Sequence, residues 1–131
     1  MSSESLHAPR ERLSRETLSF HHAIVSLMEE LDAIDWYRQR ADDAEDETLK
    51  GLLLHNMREE MEHASMLLEW LRRHEADFAR YLKTYLFTEA PILEVEEEAT
   101  AEGVQEKEQR NPARPGEHSF TVGRLRGPER E

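Results

Sequence analysis

Apolar residues recur along this chain at alternating steps of four and three. From Leu49 the steps visit Leu49, Leu53, Asn56, Glu60, His63, Leu67, Trp70 and His74. The same stepping earlier visits Phe20, Ala23, Leu27, Glu30, Ile34 and Tyr37, flanked by Ile24, Met28 and Leu31. Such seams let a helix bury one face against a neighbour. They predict one helix over about 12–40, with no Gly or Pro inside it, and a second over about 46–75. Asp46 suits the N-cap of the second, with Glu47 in its first turn, and Gly51 weakens it mildly. A short third helix is expected over Glu75 to Leu86, with Phe78, Tyr81, Leu82, Tyr85 and Leu86 on its apolar face; Pro91 stops it from running much further. Asp42-Asp43-Ala44-Glu45-Asp46 joins the two long helices, which therefore form an antiparallel hairpin.

Both seams are interrupted by the same kind of residue. Glu60 and His63 take consecutive seam positions where Leu is expected, and Glu30 interrupts the earlier seam. Glu60 and His63 are three residues apart, so both side chains leave one helix face. In a hairpin folded about residue 45, Glu30 lies level with Glu60, and His63 lies one turn along. A carboxylate buried without a partner is costly or shifts its pKa, and a metal ion removes that cost. Two Glu-x-x-His pairs and two further glutamates from four helices form the ligand set of di-iron helix bundles. One chain supplies half of that set, so a two-fold axis through the site would complete it. Four carboxylates and two imidazoles suit Fe(II). The plainer reading is that these are polar seam residues that fix helix register.

Composition sharpens the picture. At 131 residues the chain is one domain at most, and a net charge of -12 leaves little apolar material for a monomeric core. Two helices cannot cover each other's apolar stripes, so self-association is expected. The acidic balance argues against nucleic acid or an anionic membrane as partner and suits a handler of cations. No cysteine is present, so disulfides and thiolate metal sites are excluded. No apolar run spans a bilayer and no secretory signal is seen, so a cytoplasmic location is expected. Glu29, Asp32 and Asp35 form a row of carboxylates on the first helix. They could gather Fe(II) or hold a hard cation such as Ca2+ weakly, or simply form a solvated face.

Residues 1–11 read as a flexible N-terminus and 12–91 as the helical domain. Residues 92–118, rich in Glu, Gln, Pro and Gly and free of aromatic residues, read as a disordered acidic linker. The chain turns apolar and basic again in 119–131, through Phe120, Thr121, Val122, Gly123, Arg124, Leu125, Arg126 and Gly127. A short apolar patch on a tether has the form of a docking peptide.

Four blocks resemble the encapsulated ferritins: Met28 to Tyr37, Glu59 to His63, Glu69 to Arg73 and Thr84 to Glu89. The terminal Phe120 to Gly127 resembles the peptide by which such cargo binds the inner wall of an encapsulin shell. The resemblance implies an all-α, ferritin-like two-helix hairpin with a short C-terminal helix, completed to a four-helix bundle by dimerisation. It implies a ferroxidase that oxidises Fe(II) with dioxygen, with Glu30, Glu60 and His63 as di-iron ligands shared between two subunits. It further implies dimers closing into a ring, a decamer, within an encapsulin nanocompartment for iron storage. Glu29 and Asp32 would form an outer metal site on the approach to the centre, with Asp32 standing where the family carries the longer Glu. Trp36 would line the site, and Tyr37 is a candidate to hold the free ring nitrogen of His63. The competing readings are a non-catalytic helical adaptor and a metal-buffering oligomer, each presenting the docking peptide.

Overall fold

The computed structural model describes residues 5–110. Among the described residues every regular element is helical: a 3-10 turn at Arg10–Arg12, then α1 over Arg15–Asp43, α2 over Glu47–His74, α3 over Ala76–Tyr85 and α4 over Ile92–Arg110. Part of the expected flexible N-terminus is therefore ordered locally, with the Arg12 amide donating to the Pro9 carbonyl at 2.9 Å.

Each long helix begins where a side chain can accept from an otherwise orphaned amide. The Ser14 hydroxyl accepts from the Thr17 amide at 3.0 Å to start α1. The Asp46 carboxylate accepts from the Leu49 amide at 2.7 Å to start α2. Glu75 serves two ends. Its amide closes α2 on the Leu71 carbonyl, and its side chain accepts from the Asp77 amide at 3.2 Å to open α3.

α1 and α2 pack antiparallel. Phe20 meets Trp70 edge to face, with ring centroids 5.6 Å apart, and Glu30 and Glu60 bring carboxylate oxygens within 4.8 Å of each other. Both pairs are equidistant from residue 45, so the register is the one expected. The hairpin core is thin. Its buried apolar side chains are Ala23 and Ala41 on α1 and Met57, Ala64 and Leu71 on α2. The α2 line through Met57, Ala64 and Leu71 is rotated one position from the expected Asn56, His63 and Trp70. Leu49, expected in the seam, is 48% exposed. The reason is that α2 carries leucines on both flanks of the line, at 52–54 and at 67–68. A stepping rule cannot choose between adjacent apolar rows. Ile24, Leu31, Met61 and Met66 remain on the outside of the hairpin.

A second compact unit begins at Phe87. Phe87 itself has φ of 61°, a left-handed conformation that side chains other than glycine seldom adopt. Within this unit the structure differs from the expected linker: Ile92–Arg110 is a helix. Pro91 precedes it, and its carbonyl accepts from the Glu94 and Val95 amides at 3.0 and 3.1 Å. Glu, Ala, Gln and Leu are strong helix formers, and Gly103 is the weakest former in the segment. The composition that suggested solvation is equally that of a solvated helix. No helix among the described residues is long and apolar enough to cross a membrane.

Candidate metal centre

Glu60 and His63 stand one turn apart on α2, and the His63 Nδ1 lies 3.2 Å from the Glu60 Oε2. α1 brings Glu30 to the same height, with its Oε2 3.8 Å from the His63 Nδ1. Each of the three offers one ligand atom, and these atoms all lie within 4.8 Å of one another. They form the one group of three or more potential ligands found among the described residues. The Glu30 and Glu60 side chains are 25% and 22% exposed, whereas His63 is 45% exposed. The carboxylates are thus sheltered by the hairpin, and the imidazole sits at its rim.

The electrostatics are those of a site short of positive charge. A hydrogen bond to Glu60 pushes the Glu30 carboxyl above its ordinary range, and burial and the charge of Glu60 push the same way. The Glu60 carboxylate accepts that bond and is held below its ordinary range, with His63 assisting. A hydrogen bond to Glu60 raises the His63 imidazole, and the charges of Glu30, Glu60 and Glu59 add to the effect against its desolvation. A divalent cation would meet two carboxylate oxygens and an imidazole nitrogen, a donor set that suits Fe(II) or Zn(II).

The structure therefore brings together Glu30, Glu60 and His63. The other expected residues lie elsewhere on α1. Glu29 and Asp32 are exposed; the charge of Glu29 contributes to raising Glu30, but neither residue joins a three-ligand group among the described residues. Asp35, next in that row, accepts from the Gln39 side-chain amide at 2.9 Å. Trp36 is 50% exposed and lines a shallow depression with Gln39 and Arg40. The Tyr37 ring lies under the Arg40 guanidinium at 5.6 Å. Trp70 and His74, at the far end of the seam, stack at 4.0 Å, and His74 Nδ1 meets the Trp70 carbonyl at 2.8 Å. That is a packing arrangement. The expected docking residues Phe120 to Gly127 lie outside the described residues. The opposed shifts of Glu30 and Glu60 were not anticipated, although two glutamates at one height in a hairpin are a sufficient signal for them.

Known proteins supply an independent comparison. The sequence profile described as EncFtn-like matches residues 5–89. An encapsulated ferritin-like protein of Rhodospirillum rubrum is 50% identical over 127 residues, which cover 96% of this chain and 91% of the relative. A ferritin-like protein of Thermotoga maritima is 47% identical over 97 residues, covering 74% of this chain and 85% of the relative. The crystal structure of a Nitrosomonas europaea protein superposes with a TM-score of 0.66 at 51% identity, covering 67% of this chain and 97% of that one.

Proposed function

The chain belongs to the EncFtn-like family, and on that footing we propose that it is a ferroxidase, oxidising Fe(II) with dioxygen as the cargo of an encapsulin compartment. The observation that carries the reading is the meeting of Glu30, Glu60 and His63 from two helices within ligand distance of one ion. The name of the Rhodospirillum rubrum relative, an encapsulated ferritin-like protein, supports both the iron and the enclosure.

One chain contributes two carboxylates and one imidazole. A second copy across a two-fold axis would double these to four carboxylates and two imidazoles, enough for two Fe(II) ions. The outer apolar residues Ile24, Leu31, Met61 and Met66 favour such a partner, because pairing removes them from water. Fe(II) is the substrate. Each ion gives up one electron, and dioxygen takes the electrons up. The part of this chain is to hold the ions by Glu30, Glu60 and His63. Carboxylates also favour the harder Fe(III), which assists electron loss. Glu29 and Asp32 would gather Fe(II) on the approach, with Trp36 and Tyr37 packing near it. Dimers would close into a decamer, and Phe120 to Gly127 would dock the assembly inside a cytoplasmic encapsulin shell.

The test is oxygen consumption on adding Fe(II) to the purified protein and to His63→Ala, with Fe(III) absorbance followed in parallel. Rapid consumption by the natural protein and the rate of free Fe(II) in the variant are expected. Equal background rates for both would reject the ferroxidase and leave a helical adaptor that presents a docking peptide.

A further inference from the structure

α4 carries four glutamates, Glu94, Glu98, Glu102 and Glu106, at successive intervals of four residues. On a helix that interval places each carboxylate beside the next, one turn along the same face. All four are exposed; no Lys or Arg occurs between Ile92 and Glu106, and Arg110, four residues after Glu106, is the one basic residue at pairing distance from the ladder. Like charges at this spacing oppose the helix. Opposing them are the strong intrinsic helix propensities of Glu, Ala and Gln and the start at Pro91. This helix of 19 residues has no buried residue among those described, so it lacks the packing that supplies most helical stability in proteins. The acidic composition that reads as disorder and the helix of the structure are thus two sides of one near-balance.

We propose that α4 is a charge-responsive spacer whose helix tightens when cations screen the ladder and loosens when they do not. The two states differ in stiffness. As a helix the segment is a rod of roughly 28 Å; loosened, it is a flexible tether whose ends can stand at any separation up to roughly 60 Å. The ionic surroundings would therefore set how rigidly the chain after Arg110 is held out from Ile92. Neighbouring carboxylates lie closer than the Debye length of about 10 Å at 0.1 M salt, so they repel in dilute salt and are progressively screened above it. This inference is independent of the metal centre, since no ladder residue belongs to it.

The experiment is hydrogen exchange by mass spectrometry on the whole protein, at fixed pH, in dilute and in concentrated sodium chloride. Two variants decide it. Glu98→Gln with Glu102→Gln removes every carboxylate pair of the ladder while conserving helix propensity. Glu96→Gln is the control, because Glu96 has no carboxylate three or four residues away on either side. The expected result is a rise in protection of the amides of 96–106, roughly three- to tenfold, in the double variant in dilute salt. Its salt dependence should flatten, whereas Glu96→Gln should behave as the natural protein. Equal protection in all three proteins would overturn the proposal. So would a segment that exchanges without protection at every salt concentration.

Discussion

The Nδ1 of His63 stands 3.8 Å from the Oε2 of Glu30, on the facing helix of the hairpin. This contact joins ligands that are 33 positions apart in the sequence, and α1–α2 packing alone holds it. If the centre acts on iron, charge at Glu30 matters as much as its shape. Glu30→Gln keeps the side-chain outline and removes the anion. Fe(II)-dependent oxygen consumption is expected to fall at least about tenfold, the scale on which weakened metal coordination is felt. Circular dichroism should show the helices retained. Unchanged consumption would place the chemistry elsewhere.

Acid–base linkage gives a second expectation for the metal-free protein. The folded pKa of His63 is raised by Glu60 above its ordinary 6.5. The stability it contributes is fully present below that ordinary value and is lost as pH rises through the raised one. Glu30, also raised, acts in the same direction at lower pH. Glu60 is depressed, so its contribution appears above the ordinary carboxylate range and is lost as pH falls. Of these three groups, His63 is the one whose ordinary value lies near neutrality. The melting temperature is expected to decline between neutral and mildly alkaline pH, and His63→Gln should remove the decline. A slope that persists in the variant would assign it to another group.

Metal binding should release protons near pH 6, because Glu60 holds the His63 imidazole above its ordinary 6.5. Titration calorimetry with a redox-inert cation such as Zn(II), in two buffers of different ionisation enthalpy, reads the number directly. Net release near pH 6 is expected, shrinking in His63→Ala and growing smaller as pH rises. An apparent enthalpy identical in both buffers would contradict a protonated resting site.

The position of the site depends on where α2 begins. Asp46 accepts from the Leu49 amide at 2.7 Å, and Asp46→Ala is expected to cost about 1 kcal/mol of folding stability. Chemical denaturation would measure it, with the denaturant slope unchanged. A loss of only a few tenths would mean that packing with α1 sets the start of α2 by itself.

For the tail, removal of residues 119–131 is expected to abolish loading into an encapsulin shell and leave iron oxidation intact. Co-expression with the shell protein and recovery of loaded shells would measure it. Full loading of the truncated chain would assign docking to another surface.

The hairpin, its turn and the height of Glu30 against Glu60 were legible because they follow from period and from a fold point at residue 45. Phe20 and Trp70 confirm the same fold point at a second height. The side of α2 that faces α1 was legible only to within one position. Met57, Ala64 and Leu71 are buried there, and small or flexible residues announce a face less clearly than the adjacent leucines. α4 was not legible. Its glutamates carry both a charge that favours solvation and a backbone preference that favours a helix, and composition reports the first more loudly. The raised Glu30 and lowered Glu60 could have been read, since two carboxyl groups at one height cannot both stay ionised at low cost.

Three of the five buried apolar residues in the described part of the chain are alanines. A single hairpin therefore withdraws very little hydrocarbon from water, and most of its large apolar side chains await a second surface. Dilution should then act on this protein as a denaturant does: its thermal midpoint would climb with protein concentration, and folding and assembly would be read as one transition.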